Sequence, residues 1–194
     1  MIDATDDWMQ TYFGGRFYPL NPELNKINIF EIAHALSNLC RFGGHVKEFY
    51  SVAEHCVNLS HVVSPENSLA ALLHDATEAY VVDVPRPIKK YLNNYRDIED
   101  NVAKLIADKY QLDSIYPDEV READTRILLN ERNALIPRHE TWGIDEVFEP
   151  LENVTINCYK PKSAEWKYIA RFDNLVREAG LGTMFGLEKV RETV

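Results

Sequence analysis

A chain of 194 residues, 45% hydrophobic with eight glycines and nine prolines, is long enough for one compact domain and is neither disordered nor fibrous. Its net charge of −10 argues against a general nucleic-acid binder, which shows a basic surface, but leaves room for a small anion in a local basic pocket. Three cysteines, Cys40, Cys56 and Cys158, form no CxxC pair and are odd in number, which argues against a disulfide scaffold or a cysteine zinc site.

In chain order, residues 1–27 are aromatic and turn-rich ("YFGGRFYPLNPE") and read as an irregular or hairpin lead-in. "NIFEIAHALSNLC" then places Ile29, Ile32, Ala33, Leu36, Leu39 and Cys40 on one helical stripe. Asn28 with Glu31 resembles a capping box, and the glycines of "RFGGH" stop the helix. Ser51 with Glu54 forms a second capping box that opens "SVAEHCVNLSHVV". Ser64 as N-cap and Pro65 at the first helical position open "SPENSLAALLHDATEAY". Two prolines in "DVPRPIKKYL" require a turn before a short basic helix. Residues 95–110 and 117–136 are amphipathic helices, and 163–180 is a last helix closed by Gly180. "NVTINCY" (153–159) is a short strand-like alternation. The class expected is all-α: a single domain over 1–194 built as a helical bundle, with at most a short strand or hairpin.

Three of these helices carry polar residues where a core face should continue. His55 sits among Val52, Cys56 and Leu59, and His74 and Asp75 interrupt the run Ala70 to Leu73. Asp124 falls on the stripe Val120, Ala123, Ile127, Leu128, Leu135. Taken singly, His55 reads as a hydrogen-bonded core histidine, and Asp124 as a partner of Arg121 or Arg126. Taken together, one divalent cation reached by His55, His74, Asp75 and Asp124 would satisfy all of them, since a buried charge needs a partner or a metal. Mixed His and Asp donors suit a first-row ion such as Zn²⁺, Co²⁺, Mn²⁺ or Fe²⁺. Glu78, four residues after His74 and three after Asp75, shares their face and could handle a water.

The pattern His55, His74-Asp75, Asp124 resembles the HD superfamily of metal-dependent phosphohydrolases. "HDATEAYVVDVPRPIKKYL" is similar to the motif segment of the YfbR-like 5'-deoxynucleotidase group, and "SVAEHC" and "READTRILLNER" resemble its first-ligand and last-ligand segments. The short chain and the "CRFGGH" loop also resemble compact phage-type dATP triphosphohydrolases. The resemblance implies an HD domain whose motif core spans 28–136. It implies metal ligation by His55, His74, Asp75 and Asp124, and water handling by Glu78 together with Asp83. It implies substrate contacts from Arg41, Phe42 and Lys89. A turn-forming role for Asp83 is equally open from its position before Pro85, and Arg86 and Lys90 read as a solvated helix end. The implied reaction is hydrolysis of a deoxynucleotide at its 5'-phosphate chain, by a 5'-deoxynucleotidase or a dNTP triphosphohydrolase. A bound cation lowers the pKa of its water to about 7 and polarises a phosphoryl oxygen. A polyphosphate substrate could bring an additional Mg²⁺.

Two other HD types fit poorly. The ppGpp-degrading type has HDxxED, whereas Ala79 follows Glu78 here, and the cyclic-dinucleotide type needs a GYP motif that the sequence lacks. The rival from another class is a non-catalytic helical metal-binding or interaction protein with a vestigial HD site. The expected partners are a small-molecule nucleotide and further copies of the chain, as a dimer or higher homo-oligomer, with no nucleic-acid polymer and no membrane. The face of Trp166, Ile169, Phe172 and Val176 is core by default or a subunit contact otherwise. With no signal-peptide pattern at "MIDATDDWMQ" and no apolar run near the roughly 18 residues of a membrane span, the expected compartment is the bacterial cytosol, or the host cytosol for a phage-encoded chain.

Overall fold

The computed structural model describes residues 7–181. A two-residue hairpin, β1 (Met9–Gln10) against β2 (Arg16–Phe17), precedes eight helices. They are α1 (Ile29–Asn38), α2 (Val52–Val62), α3 (Ser68–Leu73), α4 (Glu78–Val81), α5 (Arg86–Lys89), α6 (Tyr95–Tyr110), α7 (Asp118–Leu135) and α8 (Pro161–Glu178). The fold is all-α. Among the described residues no helix is long and apolar enough to cross a membrane.

The hydrophobic stripes say where each helix packs. Ile29, Ile32, Ala33 and Leu36 of α1 are buried with Val52, Ala53 and Cys56 of α2 and with Leu72 and Leu73 of α3. α8 packs on α1, α2 and α3 and supplies Tyr168, Phe172, Leu175 and Val176 to the same core. Burying side chains of this size stabilises by about 1.5–3 kcal/mol each. The stripe of α8 therefore divides: Phe172 and Val176 are core, Ile169 is half-buried and Trp166 is exposed. A second apolar cluster joins Leu59 of α2 and Ala70 and Ala71 of α3 to Val120, Ala123 and Ile127 of α7. Leu128 is only half-buried there, and Leu129 takes the inward place.

Both capping boxes are half formed. The Asn28 side chain accepts the Phe30 N–H, and the Ser51 hydroxyl accepts the Glu54 N–H. The two glutamates turn elsewhere. Glu31 accepts the Phe13 N–H of the lead-in, and the Asn28 N–H goes to the Tyr80 hydroxyl. Glu54 accepts the backbone N–H groups of Asn157, Cys158 and Tyr159 at 2.8, 3.2 and 2.7 Å. That contact also corrects the strand expected over 153–159. The segment is irregular, with Asn153 and Cys158 at positive φ, because a carboxylate rather than a neighbouring strand takes its donors. Burial lifts the Glu54 carboxyl above its ordinary value, and the three N–H donors oppose the lift.

The long helix expected from Pro65 is interrupted. A 3₁₀ turn (Pro65–Asn67) leads into α3, and residues 74–77 form tight turns before α4. The Ala76 N–H bonds to Leu73 O at 2.9 Å, a three-residue step that releases the Leu72 carbonyl. The Tyr168 hydroxyl of α8 takes that carbonyl at 2.8 Å. The last helix begins at Pro161, two residues earlier than the periodicity suggests. Gly180 at φ +73 ends it, with the Leu181 N–H reaching back to Val176 O.

Candidate metal centre

Three helices deliver the polar residues that break the apolar stripes. His55 lies in the first turn of α2 and is fully buried. His74 and Asp75 follow the last residue of α3, at the tightened turn. Asp124 lies between the buried Ala123 and Ile127 of α7.

Hydrogen bonds fix the orientation of both imidazoles. His55 Nδ1 donates to Glu131 Oε1 at 2.6 Å, and His74 Nδ1 donates to the Ala71 carbonyl at 2.7 Å. A carboxylate and a carbonyl can only accept, so in each neutral ring the lone pair sits on Nε2. These two Nε2 atoms face each other at 3.2 Å. Asp75 Oδ1 is 3.2 Å from His74 Nε2, and Asp124 Oδ1 is 3.3 Å from His55 Nε2 and 3.8 Å from His74 Nε2. With both rings neutral, their two lone pairs and the Asp75 and Asp124 oxygens repel unless a cation, a proton or a metal ion, lies among them. Donors sharing one ion at about 2.1 Å stand roughly 3–3.5 Å apart, close to the His55–His74, His74–Asp75 and His55–Asp124 spacings here. Asp75 Oδ2 is buried without a hydrogen-bond partner, a further acceptor left over. His55, His74 and Asp75, with donor atoms all within 4.8 Å, could hold a metal ion.

The surrounding carboxylates favour positive charge at both imidazoles, whether a proton or a metal ion supplies it. Burial resists protonation of His55, as does Arg41, but Glu131 and Asp124 outweigh them and raise its basicity. Burial likewise opposes charge on His74, and Asp75 overrides it. Burial would raise Asp75, yet His74 holds it down at about 2. Against the same burial, His55 and His74 hold Asp124 well below the carboxylate range. Glu131 is lowered by Arg41 and His55 despite complete burial. Cys56, next to His55 in the chain, is pushed up to about 11 by burial and stays a thiol.

Glu78 opens α4, and its Oε2 is buried with no hydrogen-bond partner. Burial, then the charges of Asp75 and Asp83, push its carboxyl well above the ordinary value. Asp83 itself is exposed. Between them Val82 adopts φ +65 and ψ 152, a region suited to glycine, and its carbonyl accepts the Tyr95 hydroxyl at 2.7 Å.

The residues expected to meet substrate are less alike. Arg41 is buried, with Nε and Nη2 donating to Glu131 Oε2 at 3.3 and 3.0 Å and Nη1 3.6 Å from Asp75 Oδ2. Most of its guanidinium serves Glu131, and one nitrogen turns to the cluster. Phe42 has φ +54 and lies with its ring 5.8 Å from the Arg41 guanidinium carbon and 6.3 Å from the Trp142 ring. Lys89 donates to Glu99 at 2.6 Å, so its charge is already matched.

Two residues of the site escape the sequence reading. Glu131 joins His55 to Arg41 and is fully buried. The signal for it is spacing: it stands four residues after Ile127 and seven after Asp124, two turns along the same face of α7. Arg86 is the other. It is 65% exposed, yet its Nη2 donates to Asp124 Oδ2 at 3.0 Å. Asp124 thus pairs with Arg86 rather than Arg121, which bonds Tyr116 O, or Arg126, which pairs with Glu122.

Fold and donor set together define a helical protein with a buried His–His–Asp group able to hold a metal ion. The chain is 36% identical over 169 residues to the uncharacterized protein YfdR of Escherichia coli K12, spanning 87% of this chain and 95% of that protein, and it belongs to that family. An uncharacterized protein of Rhodobacter capsulatus is 29% identical over 126 residues, 60% of this chain and 64% of the relative. No protein-family model matches the sequence.

Proposed function

We propose that this protein is a divalent-metal phosphohydrolase of the HD type acting on deoxynucleotides. The observation that carries the reading is the meeting of His55 Nε2 and His74 Nε2, 3.2 Å apart, with the carboxylates of Asp75 and Asp124. His55, His74, Asp75 and Asp124 would hold one transition-metal ion. When bound, the ion supplies Lewis acidity that makes water nucleophilic near neutral pH and polarises a phosphoryl oxygen.

The protein's own residues do the rest. Glu131 and the Ala71 carbonyl keep both imidazoles aimed inward. Glu78, with its buried and unbonded Oε2, takes the proton of the attacking water. Asp83 keeps that carboxyl basic through its charge. Arg41 Nη1, beside Asp75, meets the reacting phosphate, while Phe42 packs on the sugar or base. A new oxygen–phosphorus bond forms as the bond to the leaving oxygen breaks, and the proton from water ends on that leaving oxygen. The products are a deoxynucleoside and either phosphate or triphosphate. Within this reading the protein works in the cytosol as a homo-oligomer.

Product identification tests the proposal. Purified protein is given a panel of dNMPs and dNTPs with Co²⁺, Mn²⁺, Zn²⁺ or Mg²⁺, beside His74→Ala. The expected result is deoxynucleoside release with at least one transition metal, and loss of both bound metal and turnover in His74→Ala. No phosphate, pyrophosphate or triphosphate from any nucleotide under any metal overturns it.

A further inference from the structure

Arg86 stands out from the other cations near the cluster. An acidic chain that takes an anion must present local positive charge at the site. Lys89 is spent on Glu99, Lys90 stands 5.0 Å from the Tyr91 ring, and Arg41 is buried against Glu131. Arg86 is different on three counts. It follows Pro85 at the start of α5, so the turn between α4 and α5 sets its place. It rests on a carboxylate of the cluster itself, and it is still 65% exposed.

The two oxygens of Asp124 face opposite ways. Oδ1 points to His55 Nε2 at 3.3 Å, and Oδ2 points to Arg86 Nη2 at 3.0 Å. The guanidinium therefore lies one carboxylate away from the atoms that would bind metal, on the solvent side. Among the described residues its remaining N–H groups meet no acceptor. A planar guanidinium with free donors is suited to bidentate grip of a phosphate.

Resting on the hydrolase reading, we propose that Arg86 is a substrate contact: it holds Asp124 Oδ2 with one nitrogen and binds a non-bridging phosphate oxygen with the others. Such a residue would tie the outer face of the metal site to the anion.

The test is inorganic phosphate binding to the Mn²⁺-loaded protein, measured by calorimetric titration on wild type, Arg86→Ala and Arg86→Lys, with metal content determined for each. One charged hydrogen-bonding group contributes on the order of a 10- to 100-fold change in affinity. Phosphate affinity is expected to fall by that much in Arg86→Ala and to recover in part in Arg86→Lys, with metal content unchanged. Unaltered phosphate affinity in Arg86→Ala overturns the inference, as does loss of metal from that variant, which would mark Arg86 as a support for Asp124 alone. Absence of phosphate binding in the loaded wild type also overturns it. Nucleotide turnover is read separately: a wild type that binds phosphate through Arg86 but hydrolyses nothing sinks the hydrolase reading and leaves the anion contact standing.

Discussion

Glu54 and His55 are neighbours on α2 and enter two different polar networks. Glu54 meets three backbone N–H groups of 157–159, and neither of its carboxylate oxygens is left without a donor. On the His55 side the balance fails. The outer rim is closed, with Glu131 and the Ala71 carbonyl each taking an imidazole N–H. The centre is not, for Nε2 faces Nε2 and both Asp75 Oδ2 and Glu78 Oε2 lack hydrogen bonds. A buried network that closes on itself is architecture, whereas one that is complete everywhere except at a shared centre could take a group that is not protein.

This contrast can be broken by substitution. The largest expected effect is on the closed side. Glu54→Ala strands three backbone donors, and its unfolding free energy in urea is expected to drop by about 3 kcal/mol. Metal stoichiometry should stay at the wild-type value, and a variant that lost metal without losing stability would erase the distinction. On the open side, Glu131→Gln keeps the shape but removes the charge that fixes His55 Nδ1. Outer partners of this kind typically contribute 10- to 100-fold in metal affinity, so a competitive chelator titration should show a loss of that size. Equal affinity in the two proteins would mean that Glu131 serves Arg41 only. The smallest effect concerns the turn between Glu78 and Asp83. Val82 at φ +65 is strained by about 1–3 kcal/mol, so Val82→Gly should recover part of that, offset by the greater freedom of glycine when unfolded. A urea midpoint that falls instead would show that the Val82 side chain contributes more than its backbone costs.

Much of this arrangement is legible in the sequence. His55, His74, Asp75 and Asp124 are conspicuous because each interrupts an apolar stripe, and periodicity requires the stripes to face one interior. α6 has the bounds that its amphipathic pattern suggests, Tyr95–Tyr110. What escapes is whatever depends on a distant partner. Glu131 sits in "LNER", where only its spacing hints at a role, and its partners Arg41 and His55 arrive from 90 and 76 residues away. Both capping-box glutamates satisfy the local rule and are then claimed by remote N–H groups. The alternation of 153–159 is real, but a strand needs a neighbour and the neighbour is Glu54. Arg86 looks like an ordinary helix-end cation because its target lies 38 residues on.

The Tyr168 hydroxyl on the Leu72 carbonyl has a consequence in time as well as in space. The turn that presents His74 and Asp75 exists because Leu72 gives up its own helical bond, and the replacement comes from 96 residues later. On the ribosome, every residue of the candidate centre is made before that tyrosine. A nascent chain that has finished α7 holds all the donors but lacks the group that relieves the exposed carbonyl. The turn is thus completed only when α8 docks, so the donors are held in place later than they are made.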